Sequence, residues 1–218
     1  MAERKIGMGD AISATLALLR ERLGLSLAAM LAIAAGYSLL DLAGAAGANT
    51  VATLAVSVFG QYVFTQELLG DRTTSPLAAR RYGALFLVSL LTGLGAVLGL
   101  ILLIVPGLLL IARWSIATPF VVAEQMGATD AMKASWRATA KSWPALLGIV
   151  FIAGAVLIGA LVAIVFAAET WGLAETALAI VVPTNLLVGG MTVLAWLFAV
   201  AVYRQLAAGG SEISEVFG

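Results

Sequence analysis

The chain contains neither cysteine nor histidine. Without cysteine there is no disulfide framework and no thiolate to act as nucleophile or metal ligand. Without histidine the commonest general base, metal ligand and neutral-pH switch is missing. Charge is scarce as well: 11% of the 218 residues are Asp, Glu, Lys or Arg, with 12 of each sign. A soluble domain of this length cannot coat a chain that is 62% hydrophobic with so few polar groups. Lipid is therefore the expected solvent for most of it. No serine or threonine has a base beside it, and no acidic metal cluster or glycine-rich phosphate loop is present. Gly189-Gly190 lies within an apolar run and reads as packing material. The expectation is a protein that is not an enzyme and has no catalytic residue, cofactor or metal.

What is present is a series of long apolar runs. A bilayer core of about 30 Å takes roughly 20 helical residues. Six runs approach or reach that length: 25–43, 51–69, 83–105, 107–124, 145–168 and 178–202. Arg4 and Lys5 before the first run, and the A-x-A pattern of Ala46-Gly47-Ala48 after it, resemble a signal peptide. The basic end would be too long and amphipathic for one, so the segment reads as a retained first span. Pro106-Gly107 between the third and fourth runs reads as a tight turn closing a helical hairpin. The expected fold is all-α: a polytopic bundle of six transmembrane helices and two interfacial amphipathic helices, in one domain over 1–218 with a short tail from 205 to 218.

The distribution of basic residues gives the direction. Arg4, Lys5, Arg20 and Arg22 precede the first span, and Arg72, Arg80 and Arg81 lie between the second and third. Lys133, Arg137 and Lys141 lie between the fourth and fifth, and Arg204 follows the sixth. With six crossings all of these fall on one side, and the opposite loops (44–50, 106–107 and 169–177) carry no Lys or Arg. By the positive-inside rule both termini are expected in the cytoplasm. Tyr82, Trp143 and Tyr203 at inner ends and Trp171 at an outer end suit interfacial belts.

Two amphipathic segments precede spans. DAISATLALLRERL, within the interfacial helix 10–23, sets Ile12, Leu16, Leu19 and Leu23 on one stripe. DAMKASWRATAKSW (130–143), overlapping the expected interfacial helix 129–142, sets Met132, Trp136, Thr139 and Trp143 on the equivalent stripe, 120 positions later. Lys133, Arg137 and Lys141 face away from Trp136, as on a helix half-sunk among headgroups. Lys133, Arg137, Lys141, Trp136 and Arg20 are thus the expected headgroup contacts, with anionic lipid on the cytoplasmic face as partner. Packing on neighbouring helices is the alternative. VFGQYVFTQELLG (58–70) and LFAVAVYRQLAAG (197–209) also echo each other, which suggests a duplicated unit of surface helix plus hairpin, with a third hairpin opened by Ser75-Pro76.

One residue defies the charge pattern: Arg113, inside the fourth run with no acid in the same run. Counted from Pro106 it lies ~10 Å deep at 1.5 Å per residue. Tyr37, Ser38, Ser57 and Asn185 fall at similar depth, with Gln61 a turn deeper and Asp41 a turn shallower. Thr53, Ser57, Gln61 and Thr65 recur every four residues as a polar stripe that should face other helices. The expected intramembrane cluster is therefore Arg113, Asn185, Gln61, Ser57, Asp41 and Tyr37. In it, Arg113 pairs with Asp41 or bonds to Gln61, Asn185 or carbonyls; snorkelling to headgroups is the alternative. Pro183 should break the sixth helix beside Asn185. Gly95-x-x-x-Gly99 and Ala155-x-x-x-Gly159 would allow close backbone approach.

Over 105–148 the run VPGLLLIARWSIATPFVVAEQMGATDAMKASWRATAKSWPALLG resembles the membrane domain named after glycerophosphoryl diester phosphodiesterase and its YciC-like inner-membrane relatives. Pro106-Gly107, Arg113-Trp114, Pro119, Glu124 and the Ala131/Ser135/Trp136 helix carry the likeness. The resemblance implies an all-helical bundle of the bacterial inner membrane. It does not imply phosphodiester cleavage, which in the fused relatives belongs to a separate barrel that needs histidines and metal-binding carboxylates. Two functions remain: a structural or accessory membrane protein bound to lipids or to other membrane subunits, and a protein holding a small amphipathic or anionic ligand in an outward-facing pocket around Arg113. No nucleic-acid partner is expected.

Overall fold

The computed structural model describes residues 5–43, 46–70, 82–102, 104–174 and 177–216. Regular structure among them is entirely helical. The helices are α1 (Met8–Glu21), α2 (Leu23–Leu42), α3 (Ala46–Leu69), α4 (Tyr82–Leu102), α5 (Ile104–Trp114), α6 (Ala117–Ala123), α7 (Ala128–Ala138), α8 (Trp143–Thr170) and α9 (Leu178–Val216). Five stretches are long and apolar enough to cross a membrane: α2, the Tyr82–Gly99 part of α4, α5 with α6 (Ile104–Ala123), α8, and α9 from Leu178 to Leu206. The remaining expected span, 51–69, is helical within α3 but is not among these five. Leu39, Leu98, Ile101, Ile158 and Phe166 all stand more than half exposed, the outward apolar surface that a lipid environment stabilises.

α9 is the central helix. α1, α2, α3, α6 and α8 all contact it, and Leu197, Val200 and Val202 on it are fully buried. Close approach to α2 depends on Gly189, where an added Cβ would stand 3.1 Å from the Met30 carbonyl oxygen. α9 passes through Pro183 without a break, contrary to the sequence expectation. The residue sits near the helix start, so only one carbonyl there loses an intrahelical partner. The expected tail from 205 is helical as well, as α9 runs on to Val216.

The third and fourth spans meet differently from expectation. The gap between helices falls between Leu102 and Ile104, and Pro106-Gly107 lies inside the first turn of α5. Proline is tolerated there because the first N–H groups of a helix have no intrahelical acceptor. Gly107 has another role: an added Cβ on Gly99 of α4 would lie 2.6 Å from the Gly107 Cα, so α4 and α5 touch backbone to backbone. Gly95 lies against Trp114. By contrast Gly159 on α8 has nothing near it, so the Ala155/Gly159 spacing packs no helix. The fourth span is also interrupted, at Ser115-Ile116. Pro119 denies an N–H to the Ser115 carbonyl one turn back and crowds it, which separates α5 from α6.

At one end of the bundle several segments are tied together. The Gln205 amide donates to the Asp10 carbonyl (3.0 Å), Arg204 donates to the Leu68 carbonyl, and the Tyr203 hydroxyl donates to Glu124 (3.0 Å). The Ile6 N–H donates to the Ser142 hydroxyl (2.8 Å). Tyr203 is 7% exposed and packs edge-on against Phe120, while Tyr82 packs on Phe59 and Tyr62. Tyr203 is thus buried between helices, Tyr82 is half-buried beside the exposed Phe59, and Trp143 and Trp171 are exposed.

α1 and α7 start alike. Gly7 and Gly127, 120 positions apart, are both extended N-caps followed by Asp10 and Asp130 in the first turn. α1 buries Ala11, Thr15 and Leu18 toward α9 and leaves Ile12 and Leu16 exposed, as is Leu23 at the start of α2. α7 does not present the expected stripe as one face. It buries Ala131, Met132, Ser135 and Thr139, while Trp136 and Trp143 remain about 40% exposed. The small side chains win the inward position because they let α7 approach α4, α5 and α6 closely. Ser75-Pro76 and Arg72, Arg80 and Arg81 lie outside the described residues.

Candidate functional site

Arg113 closes α5 and is 7% exposed. Its position follows from a fold-back: after α6, the linker 124–127, with Gln125 at φ 52, returns the chain as α7 antiparallel to α6 and the end of α5. Arg113 and Ser135 are equidistant in sequence from Glu124, and they meet. The Ser135 hydroxyl donates to the Arg113 carbonyl at 2.7 Å, and the Thr139 hydroxyl lies 3.3 Å from the same oxygen. Ser135 thereby satisfies a carbonyl that the helix break before α6 leaves without a partner, while the Thr139 hydroxyl has a nearer acceptor in the Ser135 carbonyl at 2.8 Å. The guanidinium lies over the Trp136 ring with 4.3 Å from Cζ to the centroid, a cation–π contact. Trp136 in turn leans on Trp114 at 6.3 Å. Among the described residues no carboxylate pairs with Arg113.

The other expected cluster members are brought into helix-to-helix contacts, but not to Arg113. Tyr37 of α2 and Ser57 of α3 share a hydrogen bond of 2.7 Å. Gln61 of α3 donates to Thr118 of α6 at 3.2 Å. Asn185 of α9, 6% exposed, donates to Asp41 at 2.8 Å and to Ser38 at 3.2 Å. Thr65 is buried at 1%. The polar stripe of α3 thus turns toward α2 and α6 over its described side chains, and Thr53 lies outside them. The anticipated Arg113–Asp41 pair does not form, since Asp41 engages Asn185. Depth counted along separate spans treats them as parallel rods. It could not register that α7 rises beside α5 and supplies the ring and hydroxyls that Arg113 meets.

Thr118 is not marked by any sequence pattern, and Ser38, Ser135 and Thr139, though noted for depth, resemblance and stripe, are not expected as the partners they turn out to be. Ala131, Ser135 and Thr139 at four-residue spacing were a readable signal, a small polar face able to approach another backbone. Lys133, Arg137 and Lys141 are exposed on α7, as is Arg20 on α1. An open cleft of about 350 Å³ between α1 and α9 is lined by Ala14, Ala17, Leu18, Ala201, Arg204 and Gln205 among others; Arg113 and its expected companions do not line it. Among the described residues no group of His, Cys, Asp and Glu is placed to hold a metal ion.

No protein-family model, no curated protein and no solved structure matches the chain.

Proposed function

We propose that this chain is a non-enzymatic protein of the bacterial inner membrane, a structural or accessory helical bundle that interacts with anionic lipid and with other membrane subunits. One observation carries the reading. Tyr37–Ser57, Gln61–Thr118 and Asn185–Asp41 are three separate contacts that each join two helices. Polar groups spent on bridging neighbouring spans stabilise a fixed bundle. A transport path would instead need them to converge on a shared cavity. The alternative, an outward pocket around Arg113, Gln61 and Asn185, has less support, because those residues have different partners.

Two further features support the membrane role. α8 buries only Leu146 and Ala168 and shows bare apolar surface along its length, suited to lipid or to another apolar helix. The segments tied together at the α1 end are the ones that six crossings would bring to one face, and the basic residues outside Arg113 support a cytoplasmic side for that face. The likeness over 105–148 points to the same setting.

The test uses proteoliposomes containing fluorescently tagged phosphatidylglycerol, with a membrane-impermeant quencher added outside. A fixed bundle leaves leaflet exchange at the rate of protein-free vesicles. Exchange that scales with protein content would sink the scaffold reading and establish transport. Reporter fusions at the two termini should both respond in the cytoplasm.

A further inference from the structure

Arg113 poses an unanswered electrostatic question. Arg113 is 7% exposed, and its guanidinium stacks on Trp136 with no hydrogen-bond acceptor among the described residues. The donors of a guanidinium lie around its edge, and stacking leaves that edge open. Among the described residues no acid reaches it, and the hydroxyls nearby are engaged with the Arg113 carbonyl rather than the guanidinium. Burial of a charge without a counter-charge is unfavourable unless an anion completes the site.

The place from which an anion can arrive is marked by Trp136. Its ring is 39% exposed, so it extends from beneath Arg113 to the outer surface of α7. Lys133, three residues before Trp136, adjoins it on the helix surface rather than facing away as expected, and Arg137 adjoins Lys133 four residues on; both are exposed. The buried guanidinium, the amphipathic indole and two surface cations therefore form a gradient of positive charge from α7 into the bundle. Trp143, 40% exposed at the start of α8, adds an indole beside the same helix end. Indoles favour the headgroup level of a bilayer, and arginine binds phosphate oxygens in a planar fork.

We infer that Arg113, Lys133 and Arg137 bind the phosphate of an anionic phospholipid, with Trp136 as the floor of the headgroup site and the acyl chains along the exposed faces of α8. The site rests on the membrane-scaffold reading and gives its lipid contact an address. It is a site for a resident lipid, and its occupancy completes the charge of the α5–α7 junction.

The experiment is native mass spectrometry of the detergent-purified full chain titrated with dioleoylphosphatidylglycerol or dioleoylphosphatidylcholine. Wild type should retain one phosphatidylglycerol in clear preference to phosphatidylcholine. Lys133→Gln with Arg137→Gln, both on the surface, should weaken that retention about thirtyfold at unchanged melting temperature. Arg113→Lys, which keeps the charge but loses the fork, should weaken it as well. Equal retention of the two lipids by wild type, or a double variant that binds as wild type does, would overturn the site even if Arg113 variants fail to fold. Displacement of the lipid by millimolar inorganic phosphate would show a free-anion site and overturn the lipid assignment. None of these outcomes bears on leaflet exchange, so the scaffold reading stands or falls separately.

Discussion

Gly99→Ala should destabilise the protein although alanine is the better helix former. The Cβ introduced would stand 2.6 Å from the Gly107 Cα and 2.8 Å from its N, against an ordinary contact of 3.4–4 Å. The α4–α5 crossing would have to open by ~0.8 Å to bring 2.6 Å to 3.4 Å. Both partners are backbone, so no side-chain rotation relieves the clash. Overpacking of this kind costs ~1–3 kcal/mol. Against it, replacing glycine by alanine in a helix gains up to about 1 kcal/mol. Gly159→Ala on α8 isolates that second effect, because nothing lies within 4 Å of its added Cβ. The pair of variants should therefore move in opposite directions when unfolding in mixed micelles is followed by helical circular dichroism against added sodium dodecyl sulfate. Gly99→Ala should unfold at lower detergent fraction than wild type, and Gly159→Ala at the same or a higher one. If Gly99→Ala stabilises as Gly159→Ala does, the backbone contact at Gly107 is absent and Pro106-Gly107 reverts to a turn.

Three further outcomes follow from the Arg113 junction and its neighbours. A double-mutant cycle between Arg113→Gln and Trp136→Leu, read by the same unfolding titration, should return a coupling of ~0.5–2 kcal/mol; additive effects would remove the cation–π contact. Ser135→Ala should cost about 1 kcal/mol, and combining it with Thr139→Val should cost more than the sum of the two, since each hydroxyl can serve the Arg113 carbonyl in the absence of the other. Strict additivity would contradict a shared acceptor. Tyr203→Phe should loosen the α6–α7 linker by removing the hydrogen bond to Glu124, seen as faster amide exchange at 124–127 with global stability lowered by ~0.5–1.5 kcal/mol. Unchanged exchange there would show that the bond does not restrain the turn.

Particular residues show where the sequence was informative. The apolar runs marked α2, α4, α8 and the start of α9 to within a few residues, because length and hydropathy are set by lipid thickness, whereas the end of α9 runs well past the expected span. Ser57, Gln61 and Thr65 announced their inward direction through spacing, and they do meet other helices or burial. Pro106-Gly107 misled, because the dipeptide serves a turn and a helix start equally well, and only the presence of Gly99 opposite decides between them. Pro183 misled because a proline inside a helix removes one hydrogen bond, that to the Ala179 carbonyl, without having to end the helix.

The sequence by itself determined that this protein is helical, has several stretches long and apolar enough to cross a membrane, and is devoid of thiol and imidazole groups, because those properties depend on composition and on the length of apolar runs. Only the tertiary structure decided that Arg113 rests on Trp136, that its carbonyl is held by Ser135 and Thr139, and that Asp41 belongs to Asn185. The physical reason is that a partner is chosen by where helices turn back and how closely their backbones approach. Those geometries arise from contacts between segments far apart in the chain, which no local pattern encodes.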